Sequence, residues 1–210
     1  MIDCELLVNA TIDGILAQIR PRIKALLRTR AHYEEDALVD QYKTHIWGIV
    51  ESNTGGIFHA ATHHLDKLDD TQQHFLDELG VTSKDAFLKY NFAPPNLRRN
   101  IGILGFIHKR VLGECHPSLQ NLLPWYRDQF GHVYAGKHNK QLYGHNREVV
   151  SHWHLFNRSI FIMVSIYNDL PQQAVVCQHV NTFQTYLTHI ARTRCKNNNP
   201  KWQYTFDPRR

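Results

Sequence analysis

The N-terminal part of the chain combines a regular apolar pattern with a concentration of basic residues. An apolar residue recurs at alternating intervals of four and three positions, the spacing that lines one face of an α-helix, at Ile12, Leu16, Ile19, Ile23 and Leu26. Pro21 lies inside this repeat and is expected to kink or split the helix near Arg20. The basic residues between positions 20 and 30 fall mainly on the other faces of this helix.

Similar spacing, with capping signals such as Ser83, Gly80 and Gly113, predicts helices through most of the remaining sequence. The predicted ranges are about 34–50, 65–79, 83–88, 96–112, 117–123, 157–169 and 179–195. No stretch alternates convincingly with a period of two, so we expect an all-α protein. Residues 127–150 are rich in Gly, His, Asn and Lys and predict a loop, and residues 196–210 predict a disordered tail.

Charge is distributed unevenly along the chain. The formal net charge is +5, but residues 51–90 hold three basic and seven acidic side chains, whereas residues 95–158 hold nine basic and three acidic ones. Residues 171–210 hold six basic residues and one acidic residue. This asymmetry favours a polyanionic partner for the C-terminal half. The alternative is that these basic residues only keep the surface solvated.

Several classes of protein find no support in the sequence. The sequence has no run of eighteen apolar residues, so we expect no membrane span. The N-terminus lacks the basic region of a secretory signal. The four cysteines, at positions 4, 115, 177 and 195, form no Cys-x-x-Cys pair, so we expect reduced thiols and an intracellular protein, cytoplasmic or nuclear. His59 and His63 are four residues apart but have no recognisable third ligand, and we expect no metal and no cofactor. The sequence contains neither a phosphate-binding loop nor a nucleophile elbow, so we expect no small-molecule substrate.

The predicted helix at residues 96–112 is the best candidate for a binding site. At about 100° per residue, Arg98, Arg99, Lys109 and Arg110 fall within about 120° of one another, and the main apolar stripe faces the opposite way. Phe106 falls inside the cationic face. These cations could neutralise phosphates while Phe106 stacks on a base. Alternatively, Lys109 and Arg110 complement the helix dipole and Phe106 belongs to the core.

The most distinctive segment of the chain is YNFAPPNLRRNIGILGFIHKRVLG at residues 90–113. Less distinctive segments are YKTHIW (42–47), GGIFHA (55–60), LDKLDDTQQHFL (65–76), FNRSIF (156–161), YNDLP (167–171) and VNTF (180–183). Together they resemble the region downstream of the polymerase core in non-LTR (LINE-type) retrotransposon reverse transcriptases. In that family a thumb-like helical bundle, which grips the template–primer duplex, precedes a C-terminal helical extension.

The resemblance implies a thumb-like helical bundle at residues 1–90 and a smaller, post-polymerase helical extension at residues 91–195. It also implies a nucleic-acid partner, either a template–primer duplex or RNA. The family's palm carries an aromatic-x-Asp-Asp motif, but the only adjacent pair here, Asp69–Asp70, lacks the aromatic residue. We expect that pair in the first turn of a helix, where acidic residues complement the dipole, and we assign no catalytic residues.

The expected function is that of a non-catalytic reverse transcriptase fragment that binds the nucleic-acid backbone through basic helices. Two alternatives remain open at this stage. The chain could form part of an active RNA-directed DNA polymerase when joined to an upstream palm domain. It could also be a helical protein-interaction module or a structural relic without a selected function.

Overall fold

A computed structural model of the chain describes residues 8–126, 137–144 and 153–209. These residues form helices and no strand, which confirms the predicted all-α class. Only an isolated antiparallel bridge joins Trp125 to Leu142. Most of the predicted loop at residues 127–150 lies outside the described residues. Within them, no helix has both the length and the apolar character that crossing a membrane requires.

The chain divides into two compact units. Unit 1 comprises Met1–Arg99 with Arg194–Gln203, and unit 2 comprises Asn100–Thr193 with Tyr204–Arg210. The resemblance placed the boundary after residue 90, whereas the structural division falls within one unbroken helix, Pro95–Leu112. Pro95 is the first residue of that helix, because proline fits the first turn, where no backbone donor is needed.

Unit 1 contains the longer N-terminal helices and a π-helical segment. In chain order these elements are α1 (Asn9–Arg28), α2 (Glu35–Tyr42), the π-helical segment (Lys43–Trp47), α3 (Gly48–Ser52), α4 (Thr54–Ile57), α5 (Thr62–Leu79) and α6 (Ser83–Tyr90). Helix α7 (Pro95–Leu112) follows and continues into unit 2. The remaining helices are α8 (Pro117–Leu122), α9 (Trp153–Phe156), α10 (Ile160–Asn168), α11 (Gln172–Val175) and α12 (Val180–Lys196).

Pro21 was expected to kink or split helix α1, and the helix is continuous across it, so a split is excluded. Pro21 is exposed, and the carbonyl group that loses its hydrogen bond there can be solvated instead. The buried face of α1 carries the predicted apolar residues Ile12, Leu16, Ile19 and Ile23, with Ile15 in addition. This face packs against α5.

An aromatic cluster closes the core of unit 1. The ring of Phe92 lies 5.1 Å from that of Tyr42, edge to face, and 5.1 Å from that of Trp47, stacked. Phe75 lies 4.7 Å from Tyr42. Aromatic pairs in these geometries stabilise a core beyond the area that they bury.

The ends of two helices match their predicted caps, and the start of a third differs by one residue. Gly80 and Gly113 both adopt the left-handed conformation that ends a helix, with φ of 69° and 79°. Thr82, one residue before the predicted Ser83, caps α6, because its hydroxyl accepts the backbone N–H of Asp85 at 3.1 Å.

The C-terminal segment is ordered by its aromatic residues, so the predicted disordered tail is wrong for residues 197–209. Trp202 forms a short 3₁₀ turn and stacks on Phe87 with ring centroids 5.3 Å apart. Phe206 is also buried. The polar run at residues 196–200 suggested disorder, but the aromatic residues after it bury enough apolar surface to hold the segment.

The core of unit 2 contains two buried histidines around Tyr167. His108 Nδ1 lies 2.9 Å from the Tyr167 hydroxyl, and its Nε2 donates to the carbonyl of Cys177 at 2.9 Å. His138 Nε2 donates to the Tyr167 carbonyl at 2.9 Å, while its Nδ1 accepts the backbone N–H of Lys140 at 3.1 Å. His138 therefore donates from Nε2 and accepts at Nδ1, which is the pattern of a neutral imidazole. His108 also donates from Nε2, and the Tyr167 hydroxyl can donate to its Nδ1 when the ring is neutral.

Candidate nucleic-acid interface

The cations of α7 were the sequence-based candidates, and the first of them, Arg98, is held inside unit 1. Its guanidinium lies over the ring of Trp47, 3.2 Å from the ring centroid, and forms an ion pair with Glu51. Burial lowers the pKa of Arg98 to about 10, so the group remains charged at neutral pH. This side chain joins α7 to the preceding helices and does not present a free charge to a phosphate.

Arg99 is committed to Asp69. Its two terminal nitrogens donate to the two carboxylate oxygens at 2.6 Å and 2.8 Å, a bidentate geometry that is among the strongest in proteins. Arg99 is only 5% exposed. Asp69 lies in the middle of α5, because that helix begins at Thr62, earlier than predicted. The expected role of Asp69 in a first helical turn is therefore wrong, and the residue neutralises a buried cation.

Arg110 also points into its own unit. It is 5% exposed, its Nε donates to the carbonyl of Leu123, and its guanidinium lies 4.4 Å from the ring centroid of Trp125. Burial lowers the pKa of Arg110 below its usual value. The expectation of one available cationic face is thus wrong for Arg98, Arg99 and Arg110.

Lys109 and Phe106 are the two α7 candidates that remain exposed, Phe106 at 44%. Helix α7 is enclosed on its other sides, since Ile103, Ile107 and His108 are all buried. Gly105 is a point of close approach, where a Cβ would lie 2.3 Å from the side chain of Gln184 on α12. This glycine therefore admits the neighbouring helix α12.

A different set of cations is available on α1. Arg20, Lys24 and Arg28 are spaced by four residues, so they form one stripe along the helix. All three are exposed, and the structure shows no ion pair or side-chain hydrogen bond between them and the described residues. No acidic residue occurs in the sequence between Asp13 and Glu34. We call Arg20, Lys24 and Arg28 the α1 stripe.

The α1 stripe borders a groove of about 520 Å³ between α1 and α5. The α1 side contributes Arg20 and Lys24, and α5 contributes Lys67, which is also exposed and without a partner in the described part of the chain. Ile23 and Leu27 add apolar surface. The remaining lining residues are Asp70, Thr71 and His74. Three cations and one carboxylate give the groove a net positive charge.

The pKa of His64, near the start of α5, responds to burial and to the charges around it. Its pKa is lowered, first because partial burial disfavours the charged ring and then because His63 and Lys67 repel the added proton. Asp13 opposes this shift. The groove itself favours anions because Arg20, Lys24 and Lys67 outnumber its one carboxylate, Asp70.

The residues that the structure describes offer no grouping that suggests a metal centre. Among the described residues, no three His, Cys, Asp or Glu side chains come together in a way that could hold a metal ion. His59 precedes α5 and His63 lies within it, so the two do not share one helix face.

A comparison of the chain with models of protein families, with curated proteins and with solved structures finds no match.

Proposed function

We propose that the chain is a non-catalytic helical module that binds the backbone of nucleic acids through the groove between α1 and α5. The observation that carries the proposal is a set of three cations, Arg20, Lys24 and Lys67, which converge from two helices on one groove. None of the three has an ion-pair partner among the residues that the structure describes. Cations that lack internal partners are free to displace the counterions of a polyphosphate, and this displacement supplies most sequence-independent affinity.

The groove suits a linear polyanion better than a small anion. Four residues of α-helix rise by about 6 Å, so the α1 stripe extends over about 12 Å from Arg20 to Arg28. A single phosphate could contact only one or two of these cations, whereas a phosphodiester chain can follow all of them. The proposal agrees with the resemblance to the thumb region of non-LTR reverse transcriptases, which implies a nucleic-acid partner.

The position of Asp69 supports a non-catalytic role. A polymerase holds its metal ions with carboxylates that are free to coordinate them, but both oxygens of Asp69 accept hydrogen bonds from Arg99. The neighbouring Asp70 lines the cationic groove. Within unit 1, Asp69 therefore forms an ion pair with Arg99, and Asp70 forms part of the groove wall.

The test is to replace Arg20, Lys24 and Lys67 together with glutamine in the full chain. Affinity for a labelled oligonucleotide is then titrated at several salt concentrations. Loss of three phosphate contacts should reduce the slope of log affinity against log salt by about 2 to 3 and weaken binding at low salt by at least about tenfold. Folding should survive, because glutamine has a helix propensity close to those of arginine and lysine.

A charge-matched control is available in the same unit. Lys89, Lys196 and Lys201 are exposed and can also be changed to glutamine, which removes the same net charge from other positions. We expect this control to retain most of the parent's salt slope. Equal losses in both variants would show that only net charge matters, and no measurable binding by the parent would favour a structural or protein-interaction role.

A further inference from the structure

The turn between α1 and α2, which follows the last residue of the α1 stripe, displays an exposed aromatic side chain. Tyr33 is 59% exposed, and it is the only large aromatic residue of unit 1 that is exposed among the residues the structure describes. It follows Arg28 by five residues, so the two Cα atoms can be no more than about 18 Å apart. The turn brings them closer, because the backbone N–H of His32 donates to the carbonyl of Thr29 at 2.9 Å.

Side-chain contacts on both sides hold this turn in place. Before Tyr33, Arg30 forms an ion pair with Glu78 near the end of α5. After Tyr33, Glu35 accepts a hydrogen bond of 2.7 Å from the hydroxyl of Tyr90. Tyr33 is thus an exposed ring on an anchored turn, and ordering it on binding costs less entropy than ordering a ring on a free loop.

We infer that Tyr33 stacks on an unpaired base, and that the groove consequently prefers single-stranded nucleic acid to a duplex. This inference rests on the proposed function, because the phosphates of the same strand would lie along the α1 stripe. Single-strand binding commonly combines a cationic track with aromatic side chains on which successive bases stack. A duplex keeps its bases stacked inside and offers no free face to Tyr33.

The apolar surface of the groove does not provide a stacking platform. Ile23 and Leu27 are aliphatic. In the aromatic cluster of unit 1, Tyr42, Phe75 and Phe92 are buried, and Trp47 is partly buried with Arg98 over its ring. Among the described residues of unit 1, Tyr33 is therefore the exposed large aromatic side chain that can distinguish a base from a bare phosphate chain.

The acidic residues after Tyr33 fix where the phosphates can lie. Glu34, Glu35 and Asp36 follow it directly and repel phosphate. Glu35 is engaged by Tyr90, and Asp36 accepts the backbone N–H of Ala37 at 2.7 Å at the start of α2. The backbone of the strand should thus remain on the α1 side, with only a base reaching Tyr33.

The experiment compares two probes of equal length and charge, a single-stranded oligonucleotide and the same strand made of abasic units. The full chain should bind the strand with bases roughly fivefold or more tightly than the abasic strand, as expected when one base stacks. Tyr33→Ala should remove this difference, and Tyr33→Phe should keep it, because phenylalanine retains the stacking face. Affinity for a duplex should be the same for the parent and Tyr33→Ala.

The outcomes separate this inference from the proposed function. If Tyr33→Ala keeps the preference for the base-containing strand, while glutamine at Arg20, Lys24 and Lys67 still weakens binding, the stacking role is wrong and the backbone interface stands. If the triple glutamine variant binds both probes as the parent does, the backbone interface itself is wrong. A parent that binds duplex more tightly than single strands also overturns the inference.

Discussion

Helices α1 and α7 both carry several cations opposite an apolar stripe, yet the structure uses these cations in opposite ways. On α1, Arg20 and Lys24 are exposed and border a groove. On α7, Arg99 and Arg110 are each 5% exposed and bind groups of their own units. The difference arises because α7 is enclosed on most of its sides, whereas α1 buries one face. A basic helix therefore predicts a binding surface only when it is packed on one side.

The contrast between α1 and α7 predicts its largest effect, a loss of stability, when the buried ion pair between Arg99 of α7 and Asp69 of α5 is broken. Asp69→Asn leaves the guanidinium of Arg99 buried without a countercharge, and removing one partner of such a pair costs about 3 kcal/mol of unfolding free energy. The neighbouring Asp70→Asn is the matched control, because Asp70 is exposed, and its change should stay within about 0.5 kcal/mol.

Urea denaturation of the two variants measures both values. Equal stabilities for Asp69→Asn and Asp70→Asn would show that Arg99 is not an interior cation, and the contrast between α1 and α7 would disappear.

The second effect concerns His108, another polar residue that α7 buries. The pKa values of His108 and His138 are both lowered, mainly by burial, so the folded state binds protons less readily than the unfolded chain. Stability should be full above the unfolded pKa near 6.5 and fall as the pH drops below it towards the lowered values. Each histidine contributes a slope of up to about 1.4 kcal/mol per pH unit in that window.

Urea denaturation of the full chain at a series of pH values between 7.5 and 5 should show this fall in the free energy of unfolding. His108→Phe should reduce the slope, while the exposed His179 can be changed to glutamine as a control that preserves it. A parent protein whose stability does not change between pH 7.5 and 5 would contradict the neutral, buried state of both rings.

The smallest effect, on the salt dependence of nucleic-acid binding, is expected at Lys109, the exposed cation among the α7 candidates. Lys109→Gln removes one available cation, so the slope of log affinity against log salt should change by less than about 1. The triple change in the groove between α1 and α5 should have a clearly larger effect. If Lys109→Gln alone lowered the slope as much as the triple change, the main interface would lie on α7, where the sequence first placed it.

The sequence by itself determined the helical class and most helix positions of this protein. Apolar spacing identified the buried face of α1, and Gly80 and Gly113 marked helix ends, because these signals act through local backbone geometry and one-sided burial. The predicted helix at residues 96–112 agrees with α7 within a residue of its start. The basic character of α1 was also visible, since it follows directly from residue spacing.

Only the tertiary structure decided which charged residues are available. The sequence placed Arg98, Arg99 and Arg110 on one helix face. Their partners lie 13 to 47 positions away along the chain, and a local sequence pattern carries no information about contacts over such separations. These partners are Glu51, Asp69 and Leu123. The same holds for Trp202, whose contact with Phe87 orders a segment that looks polar. Helical periodicity fixes where a side chain points around its own helix, whereas the elements packed against that helix decide whether the side chain meets solvent or a partner.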